Sequence, residues 1–181
     1  MIDWRKVEED AGSKYKNYAK PGTYKVKCVD IEIREVGTNG SVAQDFIFEE
    51  DDNYQYPKAT HWLSFKNDSW RQWHNRQLMI VLGSSESTAE KAIDKIESLG
   101  DKEKIMKGYE TAYKSLLKKK PEVEIEVYPQ YNNGKEYSRA EFTDDRVAMP
   151  HDDAKPATTD TDEVVPEDIE DGEIDLSSIP F

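Results

Sequence analysis

The fold of this chain is decided by one stretch near its N-terminus, Thr23-Tyr24-Lys25-Val26-Lys27-Cys28-Val29-Asp30-Ile31-Glu32-Ile33-Arg34. From Tyr24 to Cys28 every second residue is apolar, which is the period of a half-buried strand. After Cys28 the phase slips by one residue, and the odd-numbered positions from Val29 to Ile33 become apolar. A slip inside one strand requires a bulge or a bend, because side chains otherwise stay on their own face. We therefore expect a long first strand that bends to serve a small closed barrel.

Further strands and helices follow in a simple order. Pro21-Gly22 is a turn signal, and the segment before it is predicted to be a short N-terminal arm or helix, residues 1–20. Two more strands are predicted at 42–49 and 58–65. Helical periodicity then takes over, in three segments between 68 and 119. The last two strands are joined by Asn133-Gly134, a strong two-residue hairpin signal.

Three strands, a helical block and a two-strand hairpin form the order of the oligonucleotide-binding (OB) fold. We therefore predict an α+β protein built on a five-stranded OB-like β-barrel, with its helices between strands three and four. The barrel domain is assigned to residues 21–146, including the helical block 68–119. A disordered acidic tail with a terminal protein-binding motif is assigned to 147–181.

Charge is divided unevenly along the chain. The net charge is −13, and from His151 onward there are eleven acids against one base, Lys155. Subtracting these from the totals of 25 bases and 38 acids leaves 24 bases and 27 acids in residues 1–150. Such a body can still present a positive groove. The single Cys28, the lack of a membrane-length apolar run and the lack of a signal-peptide pattern predict a soluble, cytoplasmic protein.

Catalytic motifs are absent from the sequence. It has no glycine-rich phosphate loop and no nucleophile motif, and its three histidines (His61, His74 and His151) are far apart in the chain. His61 and His74 could still meet in space, so a metal site stays open. The favoured interpretation is one strand histidine and one helix-surface histidine. We predict no enzyme, no cofactor and no metal.

Binding of single strands needs aromatic faces for the bases and a positive lining for the phosphates. The predicted strands supply both kinds of residue. Trp62 is weighed equally between the core and an exposed platform, whereas Trp70 and Trp73 are interpreted as core residues. We expect the DNA contacts at Lys25, Lys27, Arg34, Tyr54, Tyr56, Lys58, Trp62, Lys66, Tyr128, Tyr131, Lys135, Tyr137 and Arg139.

The acidic tail ends on apolar residues, which a mere solubility tag would not need. An exposed phenylalanine with a free carboxylate suits a partner pocket that is apolar inside and basic at its rim. The acids before it would steer the encounter and compete with DNA for the groove. The predicted partner-binding residues are Asp175, Ile179, Pro180 and Phe181.

The last residues, Asp175-Leu176-Ser177-Ser178-Ile179-Pro180-Phe181, resemble the tail of bacterial single-stranded DNA-binding proteins, which ends in acids followed by Ile-Pro-Phe. Ser177 and Ser178 stand where acids are usual. The body resembles small phage-encoded members of that class, and the similar motifs are Pro21-Gly22-Thr23-Tyr24, His61-Trp62-Leu63-Ser64-Phe65 and Tyr137-Ser138-Arg139-Ala140-Glu141-Phe142.

The resemblance implies an OB-fold protein that binds and protects single-stranded DNA in replication, recombination or repair. Its partners would be replication and recombination proteins that bind the tail, in the host cytoplasm if the protein is phage-encoded. Because the helical block is longer than a bare OB fold needs, a homo-oligomer stays open. The alternative is an acidic protein-interaction adaptor or recombination mediator that does not bind DNA directly.

Overall fold

The computed structural model describes residues 17–148 together with Ile174 and Ser177. Within this part of the chain, no helix is long and apolar enough to cross a membrane. The elements in chain order are β1 (Asn17–Tyr18), β2 (Gly22–Val36), β3 (Ser41–Phe48), β4 (Tyr54–Gln55), β5 (Ala59–Trp62), α1 (Asp68–Val81), α2 (Glu86–Glu97), α3 (Lys102–Leu117), β6 (Glu122–Asn132) and β7 (Lys135–Phe142).

Five of the strands close into a barrel in the order β2-β3-β5-β7-β6, with β6 pairing back to β2. Neighbouring strands are antiparallel except for β5 and β7, which run parallel. The predicted five-stranded barrel with helices is confirmed, and its mixed sheet fits an OB-like barrel. Closure leaves few unpaired strand edges, which stabilises a small sheet against edge-to-edge association.

Strand β2 closes the barrel because it pairs with two partners in succession. Its first half, Gly22 to Lys27, pairs with β6, and from Cys28 onward it pairs with β3. The register shifts between Cys28 and Asp30, where the apolar phase slips in the sequence. Cys28 and Ile31 are both buried on either side of this bulge. The slip therefore lets one strand keep its apolar residues inside while the sheet turns.

Each helix begins at a side-chain cap. Helix α1 is capped by Asn67, whose Oδ1 accepts a hydrogen bond from Trp70 N at 2.9 Å. Helix α2 is capped by Ser85, whose side chain accepts a hydrogen bond from Thr88 N. Asp101 caps α3 by accepting from two backbone N–H groups. Side-chain oxygens at these positions satisfy donors that have no partner inside the helix.

The barrel and the helices share one hydrophobic cluster. Phe46 lies at its centre, with its ring edge-to-face with Tyr113 of α3 and with Phe142 of β7 at centroid distances of 5.3 and 5.4 Å. Helix α3 is held along β2 by Lys102, which pairs with Glu35 at 2.5 Å. The helical block therefore completes the barrel core and is not a separate domain.

A buried ion pair locks the three helices together. Arg71 of α1 is 3% exposed, and its guanidinium donates to both carboxylate oxygens of Glu97 in α2 at 3.0 and 2.6 Å. Tyr109 of α3 donates to the same carboxylate at 2.6 Å. The hydrogen bonds and charge of Glu97 raise the pKa of Arg71 above its ordinary value. Arg71 has a second carboxylate partner in Asp68, whose Oδ1 lies 2.8 Å from Nη1 and whose side chain is 70% exposed. Removal of Glu97 would leave the buried guanidinium with this exposed partner alone, which destabilises the fold.

Residues beyond both predicted ends of the barrel domain also contact the body. Asn17–Tyr18 is a strand that pairs with β4, although the prediction places these residues in an arm or helix. Val147 and Ile174 are 2% and 6% exposed in the hydrophobic cluster, although the prediction assigns both to a disordered tail. Both are apolar side chains in a polar stretch, so burial against the body is favourable. Residues 1–16, 149–173, 175–176 and 178–181 lie outside the described residues.

Candidate nucleic-acid interface

We call the solvent side of β2 after its bulge, β3, β5 and β7 the outer sheet face. Strand register places its residues in rows. Arg34, Ala43 and Trp62 stand side by side on β2, β3 and β5. Ala43 is fully buried, whereas Trp62 is 44% exposed. Neighbouring strands are about 4.8 Å apart, so the Cα atoms of Arg34 and Trp62 lie about 10 Å apart, with Ala43 between them.

Two basic side chains with an aromatic ring between them continue this face along β7. Lys135, Tyr137 and Arg139 occupy every second position, so their side chains leave the same side of the strand. All three are exposed, whereas Ala140 and Phe142 face the core. These three residues are the β7 stripe, which is the side-chain pattern that stacking and phosphate contacts require.

The β7 stripe is continuous with β5. Ala59 pairs with Ala140 in the parallel ladder, and both are buried. The residues just before them, Lys58 and Arg139, therefore turn outward at the same level of neighbouring strands. The outer sheet face thus runs from the β6–β7 hairpin across to Trp62.

Carboxylates partly neutralise this surface. Asp45 is 2% exposed and accepts from Arg34 Nε at 2.8 Å and from Thr60 Oγ1 at 2.6 Å. It takes one of the five N–H donors of the guanidinium, and the Arg34 side chain remains 48% exposed. Lys58 pairs with Glu32 at 3.0 Å, with both side chains about half exposed. Exposed pairs of this kind contribute about 0–1 kcal/mol, so a phosphate can replace Glu32 at little cost.

Comparisons with known proteins give no indication of function, so the function is inferred from the geometry of the outer sheet face. No protein-family model and no curated protein matches this chain. The outer sheet face is therefore interpreted from its own side chains.

Two predicted contacts, Lys25 and Lys27, lie elsewhere on the barrel. They are on the first half of β2, where the register places Glu124 and Glu122 of β6 directly opposite them. Lys25 and Arg34 are nine residue steps apart, a path of about 30 Å along the strand, and the bulge lies between them. Opposite charges on facing strands attract each other, so these lysines are part of the β2–β6 ladder and not of the outer sheet face.

The predicted loop aromatics Tyr54 and Tyr56 are also placed differently. Tyr54 begins β4, which pairs with β1, and both tyrosines pack partly buried against the hydrophobic cluster. The Tyr56 hydroxyl donates to Asp51 at 2.5 Å, and its ring meets Tyr24 edge-on. Burial and the Asp51 hydrogen bond raise the pKa of Tyr56 to about 12. Both rings are therefore partly buried, and Tyr56 is held in place by Asp51 and Tyr24.

The hairpin tyrosines divide between two faces. Tyr128 stands opposite Arg139 on the outer side, but it is half-buried and its hydroxyl donates to Glu141 at 2.8 Å. Tyr131 is 69% exposed, yet it pairs with Glu136 on the opposite face of the hairpin from the β7 stripe. Lys66 is exposed in the connection between β5 and α1. Tyr128 and Tyr131 are thus peripheral to the stripe.

The two histidines meet, and the favoured interpretation of His74 as a helix-surface residue is wrong. His61 Nδ1 and His74 Nε2 share one hydrogen bond of 3.1 Å, and both residues are at most 2% exposed. Trp70 stacks on His74 at 4.6 Å. Desolvation lowers the pKa of His61 to about 3 and that of His74 to about 4. Residues 17–148 bring no third histidine, cysteine or carboxylate to the pair, so they form no metal cluster.

Sequence reasoning missed two features of the surface. Ala43 lies between Arg34 and Trp62, and only the strand register reveals these neighbours. Trp73, interpreted as core, is 53% exposed on α1. The predicted partner-binding residues Asp175, Ile179, Pro180 and Phe181 lie outside the described residues.

Proposed function

We propose that the protein binds single-stranded DNA across the outer sheet face. The observation that carries this proposal is the exposed β7 stripe, which continues through Lys58 to Trp62. Bases would stack on Tyr137 and Trp62, while Lys135, Arg139 and Lys58 contact phosphates. A single strand fits this surface better than a duplex, because only unpaired bases offer their faces to an aromatic ring.

The mixed charge of the face sets the kind of binding expected. Glu32 and Asp45 hold Lys58 and Arg34 in place when DNA is absent, and phosphates would take over part of these contacts. Binding would then depend strongly on salt, since each phosphate contact releases counterions. Stacking contributes about 1–3 kcal/mol per base, so the aromatic residues would supply much of the affinity.

Two exposed tryptophans provide a matched test. Trp62 lies on the outer sheet face, whereas Trp73 lies on the helical block and is similarly exposed. Trp62→Ala should weaken binding of oligo-dT by about 5- to 150-fold, which corresponds to one lost stacking contact. Trp73→Ala should leave it unchanged. Equal effects of the two variants in a fluorescence-anisotropy titration would contradict the proposed location of the site.

The C-terminal residues Ile179 to Phe181 are proposed to recruit replication or recombination enzymes. Deletion of these residues should leave DNA binding intact or strengthened, while partner capture fails. If full-length protein captures partners but binds no oligonucleotide at low salt, the adaptor function replaces the proposal.

A further inference from the structure

A row of lysines runs along the exposed side of α3. Lys104, Lys107, Lys114 and Lys118 recur at intervals of three, seven and four residues, so their side chains leave the same side of the helix. All four are exposed, whereas both tyrosines of the helix are buried on its other side. At 1.5 Å per residue the row is about 21 Å long. We call these four residues the α3 lysine stripe.

The α3 lysine stripe is a basic surface on an acidic protein. Residues 102–120 hold seven lysines and two glutamates, a net charge of +5, whereas the whole chain carries −13. Lys114 pairs with Glu110 at 2.7 Å, and no carboxylate of the described residues pairs with the other three lysines. Helix stability does not explain this pattern, because Lys104 lies in the first turn, where the helix dipole disfavours a positive charge. The α3 lysine stripe therefore suits a polyanion.

Helix α3 is attached at both ends beside the second half of β2. Lys102 donates to the Gly40 carbonyl at 3.0 Å, in the loop that follows β2. At the other end, the backbone N–H of Cys28 donates to the Pro121 carbonyl at 2.9 Å, next to the bulge. The helix therefore runs along this half of β2 in the opposite direction. Since the same half of β2 belongs to the outer sheet face, the α3 lysine stripe lies along the border of that face.

The two basic surfaces meet at Glu32. The hydrogen bond from Lys114 to Glu110, together with the charges of Glu110, Asp30 and Glu32, raises the pKa of Lys114. Glu32 is also the partner of Lys58 on the outer sheet face, at 3.0 Å. One exposed carboxylate thus acts on a lysine of each surface. Exposed pairs contribute little to stability, so phosphates can replace Glu32 at both lysines.

We propose that a single strand longer than the outer sheet face continues past Glu32 and that the α3 lysine stripe binds its phosphates. The inference rests on the proposed function and extends the same site. Because the tyrosines of α3 are buried, these contacts are to the backbone and do not read the bases. The carboxylates at the crossing weaken each contact, so the α3 lysine stripe adds to the outer sheet face and is not a separate strong site. Its continuity with that face favours nucleic acid over an acidic protein.

The test is a salt-dependent titration of the full-length protein with two oligonucleotides. OB folds cover about 4–16 nucleotides, so oligo-dT of about 8 nucleotides tests the outer sheet face and one of about 20 also reaches the α3 lysine stripe. The double variant Lys107→Gln with Lys118→Gln removes a charge on either side of Lys114. It should lower the slope of log K against log salt by about 1.4 for the long oligonucleotide, since each lost contact removes about 0.7. The slope for the short one should stay unchanged.

The matched control is Lys91→Gln with Lys95→Gln, which removes the same charge from α2 and should leave both slopes unchanged. Trp62→Ala reports on the proposed function and should weaken binding of both oligonucleotides. If the parent protein binds neither, the proposed function fails and the inference fails with it.

The inference alone is wrong if Trp62→Ala weakens binding while the α3 double variant leaves the long-oligonucleotide slope unchanged. An equal decrease in the α2 control, or an equal decrease for the short oligonucleotide, would also overturn it. If the α3 double variant loses affinity for polyglutamate but not for the long oligonucleotide, the α3 lysine stripe serves an acidic protein and the inference is wrong.

Discussion

The buried histidine pair should make the fold sensitive to mild acid. His61 and His74 share a hydrogen bond of 3.1 Å in the core, and desolvation is the largest cause of the low pKa of each. Both folded pKa values, about 3 and about 4, lie below the ordinary value of 6.5. The unfolded chain therefore binds protons first as the pH falls. Stability from the pair is complete above pH 6.5 and declines as the pH falls toward the folded pKa values.

The size of the effect follows from the separation of these pKa values. At pH 5 an unfolded histidine is almost fully protonated, while both folded rings remain neutral. Each pH unit below the unfolded pKa costs about 1.4 kcal/mol per histidine, so about 2 kcal/mol per ring is lost between pH 7 and pH 5. The pair together would lose about 4 kcal/mol, a large fraction of the stability of a small domain.

Urea unfolding at pH 7, 6 and 5 measures this loss in the parent protein and in His74→Gln. The glutamine amide can still hydrogen-bond to His61, but it does not titrate. The variant should therefore lose about 2 kcal/mol less than the parent over the same interval. Carboxylates contribute equally to both proteins and cancel in the difference. Identical pH dependence of the two free energies of unfolding would refute the reasoning.

Three further predictions concern other contacts. Glu97→Gln should lower the free energy of unfolding by at most about 3–5 kcal/mol in urea titrations, because it leaves the buried Arg71 guanidinium with only the exposed Asp68 carboxylate, at 2.8 Å; an effect below about 1 kcal/mol would contradict this. Ile174→Asp should cost about 1.5–3 kcal/mol and speed proteolysis of the C-terminal segment, since it removes a buried apolar side chain; unchanged cleavage rates would show that Ile174 contributes nothing. Lys135→Ala should reduce the slope of log K against log salt for oligo-dT by about 1, whereas Lys91→Ala on α2 should not; equal slopes would remove Lys135 from the interface.

Much of the barrel could be predicted because its signals are local. The phase slip after Cys28 identifies the bulge, and Asn133-Gly134 identifies the hairpin, where both residues have positive φ angles of 50° and 75°. Such a turn matches the twist of the strands that it joins. A period of two also shows which residues leave the same side of a strand, so Trp62 could be considered for the outer surface.

The site could be predicted only in part, because a period does not identify neighbours on other strands. Lys25 and Arg34 belong to one strand, yet the change of partner at the bulge places them on different parts of the barrel. The burial of His74 and the exposure of Trp73 depend on how the helices pack on the barrel. Packing of this kind is a long-range property that helical periodicity on one chain segment does not contain.

The most direct test of the central claim is a salt-dependent titration of the full-length protein with oligo-dT and with duplex DNA of equal length. If the outer sheet face binds single strands, oligo-dT will quench tryptophan fluorescence through Trp62, and its affinity will fall linearly with log salt and exceed that for the duplex. Absence of binding at low salt, or equal affinity for the duplex, would contradict the account.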